Sequence, residues 1–108
     1  MPLVFRIANP GPAAVTLELQ GRVPTADFVV SDPHGGEVWS LLRGQVMLGS
    51  LRLLPLAPGR SLTFRHRWDQ RSGAGKAVPA GEYLVRGVLM TANPGDLASP
   101  PARLRIEP

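Results

Sequence analysis

Covalent catalysis needs a hydroxyl or thiol nucleophile activated by a nearby base, so the residues to weigh first are the serines and the two histidines, His34 and His66. Cysteine is absent, and no Gly-x-Ser-x-Gly elbow surrounds Ser50 or any other serine. His34 stands in Asp32-Pro33-His34-Gly35-Gly36, the composition of a solvated turn. His66 alternates with Leu62, Phe64 and Trp68, which puts it on the apolar side of an extended segment, where a packed ring is a simpler reading than a metal ligand. Adding Asp32 and Asp69 creates no zinc-type spacing, and the eight acids are scattered singly, so no carboxylate pair is set up for acid–base work. Gly73-Ala74-Gly75-Lys76 resembles the end of a phosphate loop. Gln70, however, stands where the first glycine belongs, and Ala77 replaces the magnesium-holding Ser or Thr. The expectation is a non-enzyme with no metal and no cofactor.

Positioning must come from short extended elements. Twelve prolines and twelve glycines are spread along all 108 residues, which excludes long helices. Between them the apolar residues keep a period of two: Leu3, Phe5, Ile7; Val15, Leu17, Leu19; Leu62, Phe64, His66, Trp68; Tyr83, Val85, Leu89; and Leu104, Ile106. That is the period of strands with one buried face. Turn chemistry separates them at Asn9-Pro10-Gly11-Pro12, Pro58-Gly59, Ser72-Gly73-Ala74-Gly75, Pro79-Ala80-Gly81 and Asn93-Pro94-Gly95-Asp96. The predicted strands are 3–7, 13–20, 26–32, 37–42, 46–55, 60–69, 81–90 and 101–107. About eight antiparallel strands at this spacing make one all-β, two-sheet sandwich over 1–108, with Phe5, Leu17, Phe28, Phe64, Trp68, Tyr83 and Val85 in its core.

A domain of this length buries about 65% of the surface that its unfolded chain exposes, enough for a core without disulfides. The net charge is +4, and eleven of the twelve basic residues are arginines. They form no basic block interleaved with aromatics, so nucleic acid is not the expected partner. Arg65, Arg67, Arg86, Arg103 and Arg105 should face outward and shield strand edges by charge. No basic n-region with an apolar h-region opens the chain, and no apolar run approaches a membrane span, so the expectation is a cytoplasmic domain without a membrane partner.

Residues 64 to 89 carry the most specific pattern. Trp68 ends a strand, Asp69 is placed to accept turn N–H groups, Gly81 lets the chain reverse, and Tyr83 can bury its ring while its hydroxyl reaches backbone, as in the tyrosine corner of Greek-key sandwiches. In chain order, Asn9, Asp27-Phe28-Val29-Val30-Ser31-Asp32, Gly36-Glu37-Val38-Trp39-Ser40, Leu56-Ala57-Pro58-Gly59, Trp68-Asp69, Gly75 and Val78-Pro79-Ala80-Gly81-Glu82-Tyr83 resemble the BsuPI-type intracellular proteinase inhibitors. Met47 departs from the phenylalanine that the family tends to show there. The resemblance implies an immunoglobulin-like domain and inhibition of a subtilisin-like intracellular serine proteinase. The alternative is a non-catalytic Ig-like accessory module that binds another protein.

Inhibition requires a loop held ready on a rigid scaffold. Two segments qualify, 70–77 and 92–100. Asp96, Leu97 and Ala98 in the second suit a subtilisin-like cleft, whereas Arg71 and Lys76 in the first suit a trypsin-like one.

Overall fold

The computed structural model describes residues 1–20, 26–42, 51–89, 91–93 and 97–107. Among them every regular element is a strand: β1 (Pro2–Ala8), β2 (Val15–Gln20), β3 (Ala26–Ser31), β4 (Glu37–Ser40), β5 (Leu51–Leu56), β6 (Ser61–Arg67), β7 (Gly81–Leu89), β8 (Thr91–Asn93), β9 (Leu97–Ala98) and β10 (Ala102–Ile106). The all-β expectation holds, and each predicted strand has a counterpart with ends shifted by a few residues. Two short strands, β8 and β9, were not expected, because at three and two residues they hold too little alternation to be read. The first part of the predicted 46–55 strand, with Met47, lies outside the described residues, as does Asp96.

All pairings are antiparallel and fall into three groups. β1 pairs with β6, Phe5 facing Phe64. A second sheet runs β10-β7-β3-β4, with β9 also on β7, and a third runs β5-β2-β8. Only β3 and β4 are sequential neighbours in the second sheet, so its order does not by itself trace the four strands of a Greek key. The β1–β6 ribbon faces this sheet. Phe5 points at Gly87 of β7, and the His66 ring of β6 stacks on Phe28 of β3 and on Trp39 of β4, with centroids 6.5 and 5.6 Å away.

Burial follows the alternation. In β3, Ala26, Phe28 and Val30 are buried while Asp27, Val29 and Ser31 are half-buried on the other face. Phe5, Leu17, Phe28, Trp68 and Tyr83 lie in the core as predicted. Phe64 and Val85 are only half-buried. β6 is the terminal strand of a two-stranded ribbon, so its inward residues are covered from one side only, and Val85 lines an open groove. The five arginines named above are all exposed.

Asn9 shows how a polar residue can organise such a fold. It is buried, and its Nδ2 donates to the carbonyls of Ala13 and Leu56, each at 2.9 Å, while its Oδ1 accepts from Gly11 N–H at 3.1 Å. Its backbone closes on the β5–β6 turn, donating to Arg60 O and accepting from Gly59 N–H. Asn9→Ala is expected to lower unfolding free energy by about 2–4 kcal/mol, since two carbonyls and an N–H lose their partner. Asn9→Asp, of the same shape, should cost at least as much at pH 7, because a carboxylate would face two carbonyl oxygens. Urea unfolding of the two variants checks both values.

Candidate functional site

The 70–77 segment is a closed hairpin rather than a floppy loop, and its geometry starts at Trp68. The Trp68 ring is 1% exposed, and its Nε1 donates to Arg71 O at 3.0 Å. Asp69 Oδ1 accepts the Arg71 N–H at 3.1 Å, the turn contact expected of an aspartate in this position. Between them Gln70 takes φ 62°, a left-handed conformation that favours glycine, and Gln70 O accepts the Val78 N–H. Further out, Arg71 bridges Ala77, Ser72 N–H donates to Lys76 O at 2.8 Å, and Gly75 N–H donates to Ser72 O at 2.9 Å. Gly75 has φ 81°, so the three-residue tip Gly73-Ala74-Gly75 ends in the left-handed residue that such hairpins require. Arg71 Nη1 donates to Gly75 O at 3.0 Å and braces the tip from outside.

A backbone bond ties this hairpin to the sheet. Gly73 N–H donates to Val38 O of β4 at 3.1 Å, on the side of β4 away from β3. Hairpin and strand enclose an open groove of about 790 Å³, lined by Glu37 to Leu41 on one wall and by Asp69 and Arg71 to Gly75 on the other. Trp39 is half-buried and stacks on His66 and on Trp68, both at 5.6 Å, so the groove wall continues the ring column of the core.

The two candidate loops therefore differ in kind. Lys76 is exposed on the hairpin, and Arg71 is exposed but engaged with Gly75 O. Leu97 and Ala98 do not stand in a free loop. They form β9, opposite Leu89 and Val88, and Leu97 packs against the core while Ala98 is exposed. Ser99 extends the attachment, since its N–H donates to Gly87 O and its Oγ accepts from Gly87 N–H, both at 2.9 Å.

Of the signature residues, Trp39, Trp68 and Asp69 meet at the hairpin base. Gly81, with φ 147°, and Tyr83 hold its far end, where Tyr83 Oη donates to Pro79 O at 2.7 Å as the corner predicts. His66 is a packed ring in the column, and His34 is an exposed turn residue whose N–H donates to Asp32 Oδ1. The described residues hold no cluster of three His, Cys, Asp or Glu able to bind a metal, and no helix long and apolar enough to cross a membrane. The role of β4 as a groove wall was not legible beforehand; its only signal was the aromatic Trp39 in the short run Gly36-Glu37-Val38-Trp39-Ser40.

A family model described as "BsuPI: Intracellular proteinase inhibitor" matches residues 1–94. The chain belongs to this family. BsuPI membership implies proteinase-inhibitor function with a proteinase as partner, and such inhibitor families are generally non-enzymatic. Its description as intracellular agrees with the expected compartment. The match includes the 70–77 hairpin and β4, and stops short of β9 and β10. Among solved structures, the chain is similar to the crystal structure of dimeric latent PorU from Porphyromonas gingivalis, with 21% identity and a TM-score of 0.51. That likeness covers 96% of this chain and only 9% of PorU, and it concerns the fold alone. No curated protein matches the chain significantly.

Proposed function

We propose that this BsuPI member, acting as a single domain over 1–108, reversibly inhibits a cytoplasmic subtilisin-like serine proteinase by presenting its 70–77 hairpin to the cleft. The observation that carries the reading is the closed hydrogen-bonding of that hairpin, at Arg71, Ser72, Gly75 and Val78, beneath an exposed tip. A backbone held in one conformation before docking loses little entropy on binding. Ala74 between two glycines offers a methyl group and bare main chain to a narrow cleft, and Lys76 adds a cation beside it. The hairpin also lies in the part of the chain that the family shares. Leu97 is the weaker candidate, because entering a cleft would strip β9 from β7 and pull a packed side chain out.

The test is inhibition of subtilisin by wild type and by two variants, each with its fold checked by circular dichroism. Ala74→Asp combined with Lys76→Asp should raise Ki about thirtyfold or more, the effect of losing a central contact of about 2 kcal/mol. Ala98→Asp, on exposed β9, should leave Ki unchanged; the reverse result moves the contact to β9. A wild type that leaves subtilisin-like, trypsin-like and papain-like proteinases fully active at micromolar excess makes the accessory module the better reading.

A further inference from the structure

A second open surface, a seam, runs along β1 from Met1, which is bonded to Trp68 at the hairpin base. β1 is the terminal strand of its ribbon and β10 the terminal strand of its sheet, and no described strand joins them. Between them runs a groove of about 390 Å³ that reaches the core, with Leu3, Phe28, Val85 and Leu104 as its apolar floor. Arg86, Arg103 and Arg105 also line it and no carboxylate does; outside the lining, Glu107 Oε1 lies 3.5 Å from Arg105 Nε in an exposed, solvent-screened pair. A shallower groove of about 260 Å³ continues over β1 to Arg65 and Arg67, again without an acid. Val4 belongs to both grooves and is 60% exposed.

The backbone along this seam is unpaired in a defined way. Met1 and Trp68 exchange two hydrogen bonds, each 2.8 Å, and Asn9 donates to Arg60 O at the other end of the ribbon. Antiparallel pairs alternate, so Leu3, Phe5 and Ile7 bond to β6, while Val4 and Arg6 turn their N–H and C=O groups outward, toward the seam. Edge groups of this kind are templates for another strand.

We propose that the seam binds an extended segment of a partner protein, which pairs with the outer edge of β1, lays an apolar side chain over Phe28 and carries Asp or Glu on both sides of it. Charge complementarity selects that occupant: the apolar floor asks for a hydrocarbon side chain, and the arginine rim for flanking carboxylates. A nucleic acid would meet the arginines but find no exposed ring to stack on in the lining, and its phosphates have no use for the apolar floor. The seam and the hairpin groove have no lining residue in common.

The probe is a fluorescein-labelled peptide of alternating Leu and Thr with two Glu at each end, followed by anisotropy against the intact protein. It should bind, and Arg103→Glu with Arg105→Glu should weaken it about tenfold or more. Val4→Pro removes an outward N–H while leaving the β6 bonds intact, a placement in which an edge strand tolerates proline, and should also weaken binding about tenfold. Arg60→Glu, an exposed charge at the β5–β6 turn, should leave it unchanged. Melting curves confirm that each variant is folded. The proposal is overturned by absence of binding at millimolar peptide, by equal binding of the same peptide with Ser in place of Leu, by equal binding of oligothymidylate, or by full affinity in the folded variants. Subtilisin inhibition by the seam variants separates the two sites, since it should stay at the wild-type level whether or not the peptide binds.

Discussion

Gly87→Ala is expected to destabilise the protein by at least about 3 kcal/mol, the upper range for overpacking a core. A Cβ at this position would run into three carbons of the Phe5 ring, well inside van der Waals contact. The collision has no easy relief. Phe5 is held from behind by its pairing with Phe64 on β6, and Gly87 is fixed in mid-strand by Phe28 on one side and by its two bonds to Ser99 on the other. Glycine therefore lets one layer press directly on the backbone of the next. Denaturant unfolding measures the loss. Phe5→Leu added to Gly87→Ala should recover about 1 kcal/mol or more relative to the sum of the single changes, because the two sites share one space. Additive losses would show that Gly87 matters for backbone freedom and not for the approach of Phe5.

Trp68→Ala should cost about 3–5 kcal/mol, the range for a large buried aromatic. For a domain whose whole stability is about 5–15 kcal/mol, this approaches unfolding. The ring is almost wholly enclosed, and it ends the column Phe28, His66, Trp39, Trp68 that crosses the layers. Trp68→Phe separates two roles. It keeps most of the ring volume and removes the Nε1 bond to Arg71 O, so it should cost less stability while loosening the hairpin base. Proteinase inhibition should then fall in Trp68→Phe more than its unfolding free energy predicts. If Ki follows stability alone, the hairpin does not make the contact.

Much of the local structure was legible because it rests on short-range physics. Alternation located the strands, since a residue and its second neighbour share a face whatever the partner strand is. Asp69 and Tyr83 were readable for the same reason: their hydrogen bonds span two and four residues. β8 and β9 escaped because pairing with β2 and β7, not their own composition, makes them strands. Leu97 illustrates the cost of that. Small and apolar beside a turn, it reads as a loop tip, yet its burial is decided by a neighbour eight residues back in the chain, Leu89, across the sheet.

What the sequence by itself determined is the class of structure, through period-two patterning and proline and glycine punctuation. What only the tertiary structure decided is which surfaces are open. The hairpin groove exists because Gly73 meets Val38, 35 residues away in the chain, and the seam exists because β1 takes β6 as its sole described partner and leaves β10 uncovered. Gly87 belongs with these. Its lack of a side chain is plain in the sequence, but the ring that requires it arrives from β1, at the other end of the chain. Contacts of that separation are set by how the sheets stack, and no local propensity encodes them.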